Sequence, residues 1–185
     1  EDVSALPSRA IARQGMARTF QHVKMIADMT VLENVALGAY TRGHSGVLSS
    51  MLRTNQAEEQ RLMKEAQRQL ERIGMGEYLH EQAGNLAMGP QRLMEIARAL
   101  CCDPALLLLD EPAAGLRHKE KQALAAVLRQ LQTEGMSILL VEHDLVMDVC
   151  DQLVVMEFGT LLTRGTPAEV QANPAVRAAY LGTEH

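Results

Sequence analysis

Short apolar runs that end in polar residues alternate along this 185-residue chain with stretches of helical periodicity. The clearest run, residues 105–109, reads ALLLL and stops at Asp110 and Glu111. A second run, residues 137–141, leads to His143. Continuous apolar runs of this length are typical of strands buried in a parallel sheet, whose carboxyl ends meet at one edge. The pattern therefore predicts an α/β domain in which three polar residues follow two strands.

Helices are predicted where apolar residues recur at spacings of three and four. Capping boxes, in which Thr or Asn is followed three residues later by Glu, mark several of the starts, and Gly or Pro marks the ends. The predicted helices cover residues 7–14, 30–39, 55–73, 89–100, 119–132 and, in two pieces, 166–181. A short strand is predicted over 16–20 and a β-hairpin over 153–163. The helices between Gln21 and the helix that starts at Gly89 interrupt the alternation, which predicts a helical insert.

Composition excludes several classes of protein. The net charge is −5 and the basic residues are dispersed, so the chain carries no footprint of a nucleic-acid-binding surface. No apolar run approaches the length of a membrane span. The three cysteines are too few for a disulfide framework and lack zinc spacing, so we expect buried thiols in a reducing cytosol.

The predicted sheet edge carries the candidate chemistry. Gln21, Asp110, Glu111 and His143 all follow predicted strands. One carboxylate can hold Mg²⁺ through water and its neighbour can orient or deprotonate an attacking water, so metal-assisted phosphate chemistry is the natural hypothesis. Taken alone, the octapeptide ALLLLDEP is equally well read as a core strand meeting a solvated turn, and a lone His143 is better read as a loop residue.

Two glycine motifs suggest phosphate binding. Residues 38–45 (GAYTRGHS) match the spacing of a P-loop, but His44 replaces the essential Lys and a helix precedes the motif instead of a strand. We interpret this segment as a helix end followed by a loop. Gly89 and Pro90 open a helix whose N-terminal N–H groups form an anion site by geometry, although most such helix starts bind nothing.

The ordered set of motifs resembles the ATPase subunits of ABC transporters, over nearly the whole chain. The motifs, in order, are ARTFQ (17–21), LAMGPQR (86–92), LLLLDEP (106–112), AAGL (113–116) and LLVEHD (139–144). Other segments are similar to the subgroup that powers branched-chain amino acid import. These are IARQGMARTFQ (11–21), MTVLENVALGA (29–39), DEPAAGL (110–116) and GTPAEVQANPAVRAAYLG (165–182).

At the sheet edge the resemblance implies ATP hydrolysis. Asp110 matches the Walker B aspartate, which holds Mg²⁺ through water, and Glu111 matches the general base. His143 matches the switch histidine at the γ-phosphate. Gln21 matches the Q-loop glutamine, which contacts Mg²⁺ through water, or contacts the attacking water, and relays the nucleotide state to the permease.

Two further motifs imply contacts across a dimer. Residues 86–92 match the signature motif, which contacts the γ-phosphate held by the opposite subunit. Its candidate nucleotide contacts are Leu86, Ala87, Met88, Gly89 and Gln91. Residues 113–116 match the D-loop at the dimer seam, with Ala114 and Gly115 as candidates. In the implied mechanism, two subunits sandwich two ATP molecules, and hydrolysis reopens them to drive a permease between access states.

The resemblance also implies a fold and a setting. The fold is a P-loop NTPase-like ABC ATPase domain, a partial parallel sheet flanked by helices with an inserted α-helical subdomain. Its parts are residues 1–21 (catalytic core up to the Q-loop), 22–100 (helical subdomain) and 101–185 (remaining core). The cofactors are ATP and Mg²⁺. The partners are a second ATPase subunit, identical or different, transmembrane permease subunits and, indirectly, a periplasmic or extracellular solute-binding protein, with no nucleic acid. The location is the cytoplasmic face of the cell membrane.

Several residues depart from the family pattern. Ala87 stands where most members have the signature Ser, which removes a hydroxyl contact to phosphate. Met88 replaces the first signature Gly, and Pro90 removes a backbone donor. Arg117 and His118 stand where the subgroup typically has Asn-Pro.

The chain begins after the point where the family places its Walker A loop, so the sequence predicts weak or no ATP binding, and no hydrolysis, by these residues alone. Poor solubility or a missing partner segment is expected for the same reason. Alternatives are a non-catalytic ABC-derived interaction module and the ATPase of a urea, amide or lipopolysaccharide-export system. An ABC-type ATPase of DNA repair is disfavoured by the acidic balance, and a P-loop enzyme using residues 38–45 by the missing Lys.

Overall fold

The computed structural model describes residues 2–19, 24–39 and 56–181, with side chains as far as residue 179. The chain forms two compact units, Glu1–Val141 and Glu142–His185. The three-part division expected from the family resemblance rests on function instead of compactness and stays a prediction.

The first unit is built on a three-stranded parallel sheet, in agreement with the predicted α/β fold. Its strands are β1 (Met16–Arg18), β2 (Leu106–Asp110) and β3 (Ser137–Val141), in the order β1-β2-β3. Helix α1 (Ser8–Arg13) leads into β1, and α5 (His118–Thr133) connects β2 to β3. The register places Asp110 beside Val141, so β2 and β3 end together. Both strands therefore end at one sheet edge, which is where the sequence predicts the site.

Strand β3 is less buried than its apolar sequence predicts. Leu139 is 58% exposed and Val141 54% exposed, whereas Leu107 and Leu109 of β2 are fully buried. Burial alternates along β3: Leu139 and Val141 on one face are exposed, whereas Ile138 and Leu140 on the other face are partly buried. The prediction of a buried strand was correct for β2 and wrong for β3, since apolar composition does not reveal which elements cover each face of a strand.

A helical region occupies the sequence between β1 and β2. It consists of α2 (Val31–Ala39), α3 (Gln56–Arg72) and α4 (Met88–Leu100), with two short 3₁₀ turns at Gly76–Tyr78 and Ala83–Asn85. The predicted capping box of α2 is present: the N–H of Glu33 donates to Thr30 Oγ1 at 3.2 Å, and the N–H of Thr30 donates to the Glu33 carboxylate at 2.7 Å. The predicted Asn55 cap of α3 and residues 40–45 of the glycine motif lie outside the described residues.

Helices α2 and α4 approach closely at Gly38. A Cβ atom built on Gly38 would lie 2.0 Å from the carbonyl oxygen of Arg98. The Sγ of Cys102, just beyond α4, lies 3.3 Å from the carbonyl oxygen of Gly38. The absence of a side chain at Gly38 therefore sets the distance between the two helices.

The cysteines differ from expectation in their burial. They form no disulfide, but only Cys101 is buried, whereas Cys102 and Cys150 are partly exposed. Cys101 and Cys102 lie in the turn after α4.

The second unit contains α6 (Val146–Val149), the hairpin β4 (Leu153–Glu157) and β5 (Thr160–Gly165), and helices α7 (Pro167–Ala172) and α8 (Pro174–Leu181). Its small core is formed by Leu153, Val170 and Val176. The predicted capping box is confirmed, since the N–H of Glu169 donates to Thr166 Oγ1 at 3.4 Å and Pro167 occupies the first turn.

Candidate functional site

The two carboxylates predicted for catalysis stand at the carboxyl end of β2. Asp110 is the last residue of the strand, and Glu111 follows with a left-handed backbone, φ +47°. Among the non-glycine residues that the structure describes, only two others have a positive φ. This conformation costs on the order of 1–3 kcal/mol and persists only where the surroundings hold it. The N–H of Glu111 donates to the carbonyl oxygen of Val141 at 2.8 Å, so the neighbouring strand holds the turn in place.

Asp110 has a cationic partner that the sequence did not reveal. Nη2 of Arg18 donates to Oδ2 of Asp110 at 2.9 Å, across 92 residues of chain. Arg18 ends β1, which lies beside β2, so the sheet register brings the two side chains together. The Arg18 side chain is 63% exposed and that of Asp110 is 33% exposed. The pair therefore lies at the surface of the sheet edge, where a ligand can reach it.

The predicted signature residues form the start of α4. Leu86 is buried, and Ala87 is the N-cap residue with an extended backbone. Nε2 of Gln91 donates to the carbonyl oxygen of Leu86 at 2.8 Å, which closes the turn that leads into the helix. Met88 is 49% exposed. The turn is therefore held by its own residues, with Ala87 and Met88 exposed and Gly89 buried.

Two contacts join this turn to the residues that follow β2. A Cβ atom on Gly115, where φ is +77°, would lie 3.0 Å from Sδ of Met88. A Cβ atom on Gly89 would lie 3.1 Å from Oε1 of Glu120, in the first turn of α5. Gly89 thus permits a close approach to the start of the helix, and the group that approaches is a carboxylate of the same chain. An acidic side chain near a helix N-terminus is stabilised by the helix dipole.

The structure brings together only part of the predicted set. Asp110, Glu111 and the residues of the signature and D-loop motifs lie in the first unit. His143 belongs to the second unit, where its N–H donates to the carboxylate of Glu142 at 3.1 Å, so its place beside Asp110 stays a prediction. Gln21 lies outside the described residues. No sequence signal identifies Arg18 or Glu120, because their contacts depend on strand and helix positions.

The oxygen donors at this edge suit Mg²⁺. A partly exposed carboxylate is a ligand that Mg²⁺ binds, usually together with waters and substrate phosphates. Across the described ranges, no group of three or more His, Cys, Asp or Glu residues forms a complete metal site. The Asp110 carboxylate, 33% exposed, is a ligand of the type that such a Mg²⁺ site uses. None of the helices in the described ranges is long and apolar enough to cross a membrane.

Comparison with known sequences finds similarity to ATP-binding proteins of ABC transporters. The sequence model of the ABC transporter family matches residues 1–114, and that of the branched-chain amino acid ATP-binding cassette transporters matches residues 160–185. The chain is 44% identical to the high-affinity branched-chain amino acid transport ATP-binding protein LivG of Salmonella typhimurium, over 97% of this chain and 72% of LivG. It is 40% identical to BraF of Pseudomonas aeruginosa, over 98% of this chain and 73% of BraF.

Solved structures agree with the sequence comparison. The ADP conformation of MJ1267, an ATP-binding cassette of an ABC transporter, matches with a TM-score of 0.82 and 29% identity, over 98% of this chain and 74% of that one. CbiO1 of Clostridium perfringens, part of the transporter complex CbiONQ, matches with a TM-score of 0.71 and 26% identity, over 92% of this chain and 65% of that one.

Proposed function

Because the chain belongs to the ABC transporter family, we propose that it is part of an ATP-hydrolysing subunit that powers the import of branched-chain amino acids. The observation that carries this proposal is the 44% identity to LivG over 97% of the chain. The match of residues 160–185 to the branched-chain amino acid cassette model supports the choice of substrate.

In the proposed reaction, a water molecule attacks the γ-phosphate of ATP, the bond between the γ-phosphorus and the β,γ-bridging oxygen breaks, and ADP leaves. Glu111 accepts the proton of that water at its carboxylate, and Asp110 holds Mg²⁺ through water. When bound, Mg²⁺ would neutralise charge on the transferred phosphoryl group. The left-handed turn at Glu111, held by Val141, supports this role because backbone strain concentrates at functional sites. Gln21 and His143 are proposed to contact the attacking water or Mg²⁺, and the γ-phosphate, respectively.

The signature turn is proposed to act on a second ATP-binding subunit. Ala87 and Met88 are exposed where this helix starts, which suits contact with a phosphate held by that subunit. Gly115 lies against Met88, so the D-loop and the signature turn would present one surface to the partner.

The proposed assembly follows from the same role. It contains a second ATP-binding subunit, transmembrane permease subunits and a solute-binding protein on the opposite side of the membrane. The ATP-binding subunits would then lie against the cytoplasmic face of the membrane, bound to the permease.

The test is ATP hydrolysis by the full-length protein, assembled with its permease and solute-binding protein in proteoliposomes. Leucine-loaded binding protein should stimulate phosphate release in the wild type. Glu111→Gln should lower kcat by about 10²–10⁴-fold, which is the usual contribution of a general base. Its affinity for ATP should stay close to that of the wild type, since the substitution preserves size and removes only the proton acceptor.

Glu157→Gln is the matched control, because Glu157 lies at the exposed turn end of β4 and carries no proposed role. It should hydrolyse ATP at the wild-type rate. Hydrolysis by Glu111→Gln at the wild-type rate would refute the role of Glu111. A lack of stimulation by leucine, isoleucine or valine would refute the proposed substrate.

A further inference from the structure

Residues 24–30, which we call the 24–30 segment, connect the end of the β1 region to α2 without regular secondary structure. The segment is held at its first residue by two charged side chains. The N–H of Lys24 donates to Oε1 of Glu95 at 3.1 Å, and the carbonyl oxygen of Lys24 accepts a hydrogen bond from Nη1 of Arg98. Glu95 and Arg98 are one turn apart on α4, so both polar groups of one peptide residue are bound by one helix face.

The other end of the segment is bound to the residues that precede the signature turn. The N–H of Gly84 donates to the carbonyl oxygen of Ala27 at 3.1 Å, and that of Ala83 donates to the carbonyl oxygen of Met29 at 2.9 Å. The first candidate signature residue, Leu86, follows two positions later. The 24–30 segment is therefore attached to both sides of the signature turn, before it at Ala83 and Gly84 and after it at α4.

The charges at the Lys24 end are unusually buried. The Glu95 side chain is 3% exposed, and the guanidinium groups of Arg98 and Arg92 lie 3.3 Å and 3.6 Å from its carboxylate oxygens. Burial raises the pKa of Glu95 above its ordinary value, even though Lys24 N–H, Arg98 and Arg92 oppose that shift. A buried carboxylate whose charged form is disfavoured adds little to stability. What the cluster does provide is two directional, charge-assisted hydrogen bonds to one backbone residue.

We propose that Glu95 and Arg98 are positioning residues that join the 24–30 segment rigidly to α4, so that a displacement of Gln21 is transmitted to the signature residues. Lys24 follows Gln21 by three residues, and the attachments leave little freedom between Lys24 and the signature turn. The inference rests on the proposed function, which assigns the sensing of bound nucleotide to Gln21 and contact with the partner's ATP to residues 86–91. It adds the physical connection between those two roles within one subunit.

The test uses the proteoliposome assay with the variants Glu95→Gln, Arg98→Met and the double variant. Glu95→Gln keeps the size of the side chain and a hydrogen-bond acceptor but removes the charge. Arg98→Met keeps the aliphatic stem but removes the donor to Lys24. Each should lower the ratio of leucine-stimulated to basal ATP hydrolysis by about tenfold, within the usual range of coupling between sites, with basal rate and KM for ATP within about twofold of wild type. The double variant should lose no more than the single ones, because both residues act through one connection.

Glu65→Gln is the matched control. Glu65 pairs with Arg68 on α3 with the same three-residue spacing and a distance of 2.8 Å, and its carboxylate also accepts a hydrogen bond from Gln69 of the same helix. It should leave the stimulation ratio unchanged.

Two results would overturn the inference. In one, Glu95→Gln and Arg98→Met keep the wild-type stimulation ratio. In the other, basal and stimulated rates fall together, which indicates a structural role alone. A wild-type complex that hydrolyses no ATP would instead overturn the proposed function and, with it, the coupling role of Glu95 and Arg98.

Discussion

The substitution Gly38→Ala tests the packing that sets the position of α4. The added Cβ atom would lie 2.0 Å from the carbonyl oxygen of Arg98 and 2.9 Å from its carbonyl carbon and Cγ. Distances below 3.0 Å are not tolerated, so α2 and α4 must separate. The oxygen belongs to the backbone of α4 and cannot rotate away as the end of a side chain would.

Two effects of opposite sign decide the outcome. Alanine favours the helix over glycine by about 1 kcal/mol. Overpacking a core typically costs about 1–3 kcal/mol, and a clash with backbone places this site at the upper end of that range. The clash should therefore dominate, and the free energy of unfolding should fall by about 2 kcal/mol.

Urea unfolding of the full-length protein measures this change. Gly38→Ala should lower the midpoint without changing the slope, because the surface exposed on unfolding stays the same. Gly76→Ala is the matched control, since a Cβ atom there would meet only Cγ of Glu71 at 3.5 Å, an ordinary contact. It should keep the midpoint of the wild type or raise it slightly. A Gly38→Ala protein as stable as the wild type, or more stable, would show that the helices are not held at this distance by Gly38.

Two further predictions concern charged groups. Burial raises the folded-state pKa of Glu95 above its ordinary value of 4.5, so folding favours the protonated carboxyl group. The protonated group therefore contributes its full stabilisation below pH 4.5. This stabilisation is lost as the pH rises through the folded-state pKa. The free energy of unfolding of the wild type should therefore fall between pH 4.5 and the folded-state pKa. Glu95→Gln should not show this fall. An identical pH profile in both proteins would contradict the attribution of the fall to Glu95. Arg18→Ala should change the free energy of unfolding by less than about 1 kcal/mol, because its ion pair with Asp110 is exposed. It should also lower the Mg²⁺ concentration for half-maximal ATP hydrolysis, since the guanidinium no longer competes for the carboxylate; a higher requirement would mean that Arg18 assists metal binding.

Features that depend on neighbours a few residues away could be predicted from the sequence. The capping boxes at Thr30 and Thr166 are present as predicted, because each requires only a residue three positions later. The hairpin around Gly159 and the strand that ends at Asp110 are also confirmed. The ordered motifs indicated the ABC transporter family, and the sequence and structural comparisons confirm this.

The sequence by itself thus determined the family, the elements and the adjacency of Asp110 and Glu111. Only the tertiary structure decided which distant side chains meet: Arg18 with Asp110, Glu95 and Arg98 with Lys24, and Gly38 with α4. The same limit explains the error at β3, whose apolar sequence does not show which elements cover each of its faces. The physical reason is that periodicity and capping act within a few residues of chain. Contacts across 64 to 92 residues depend instead on strand register and on the distance between packed helices.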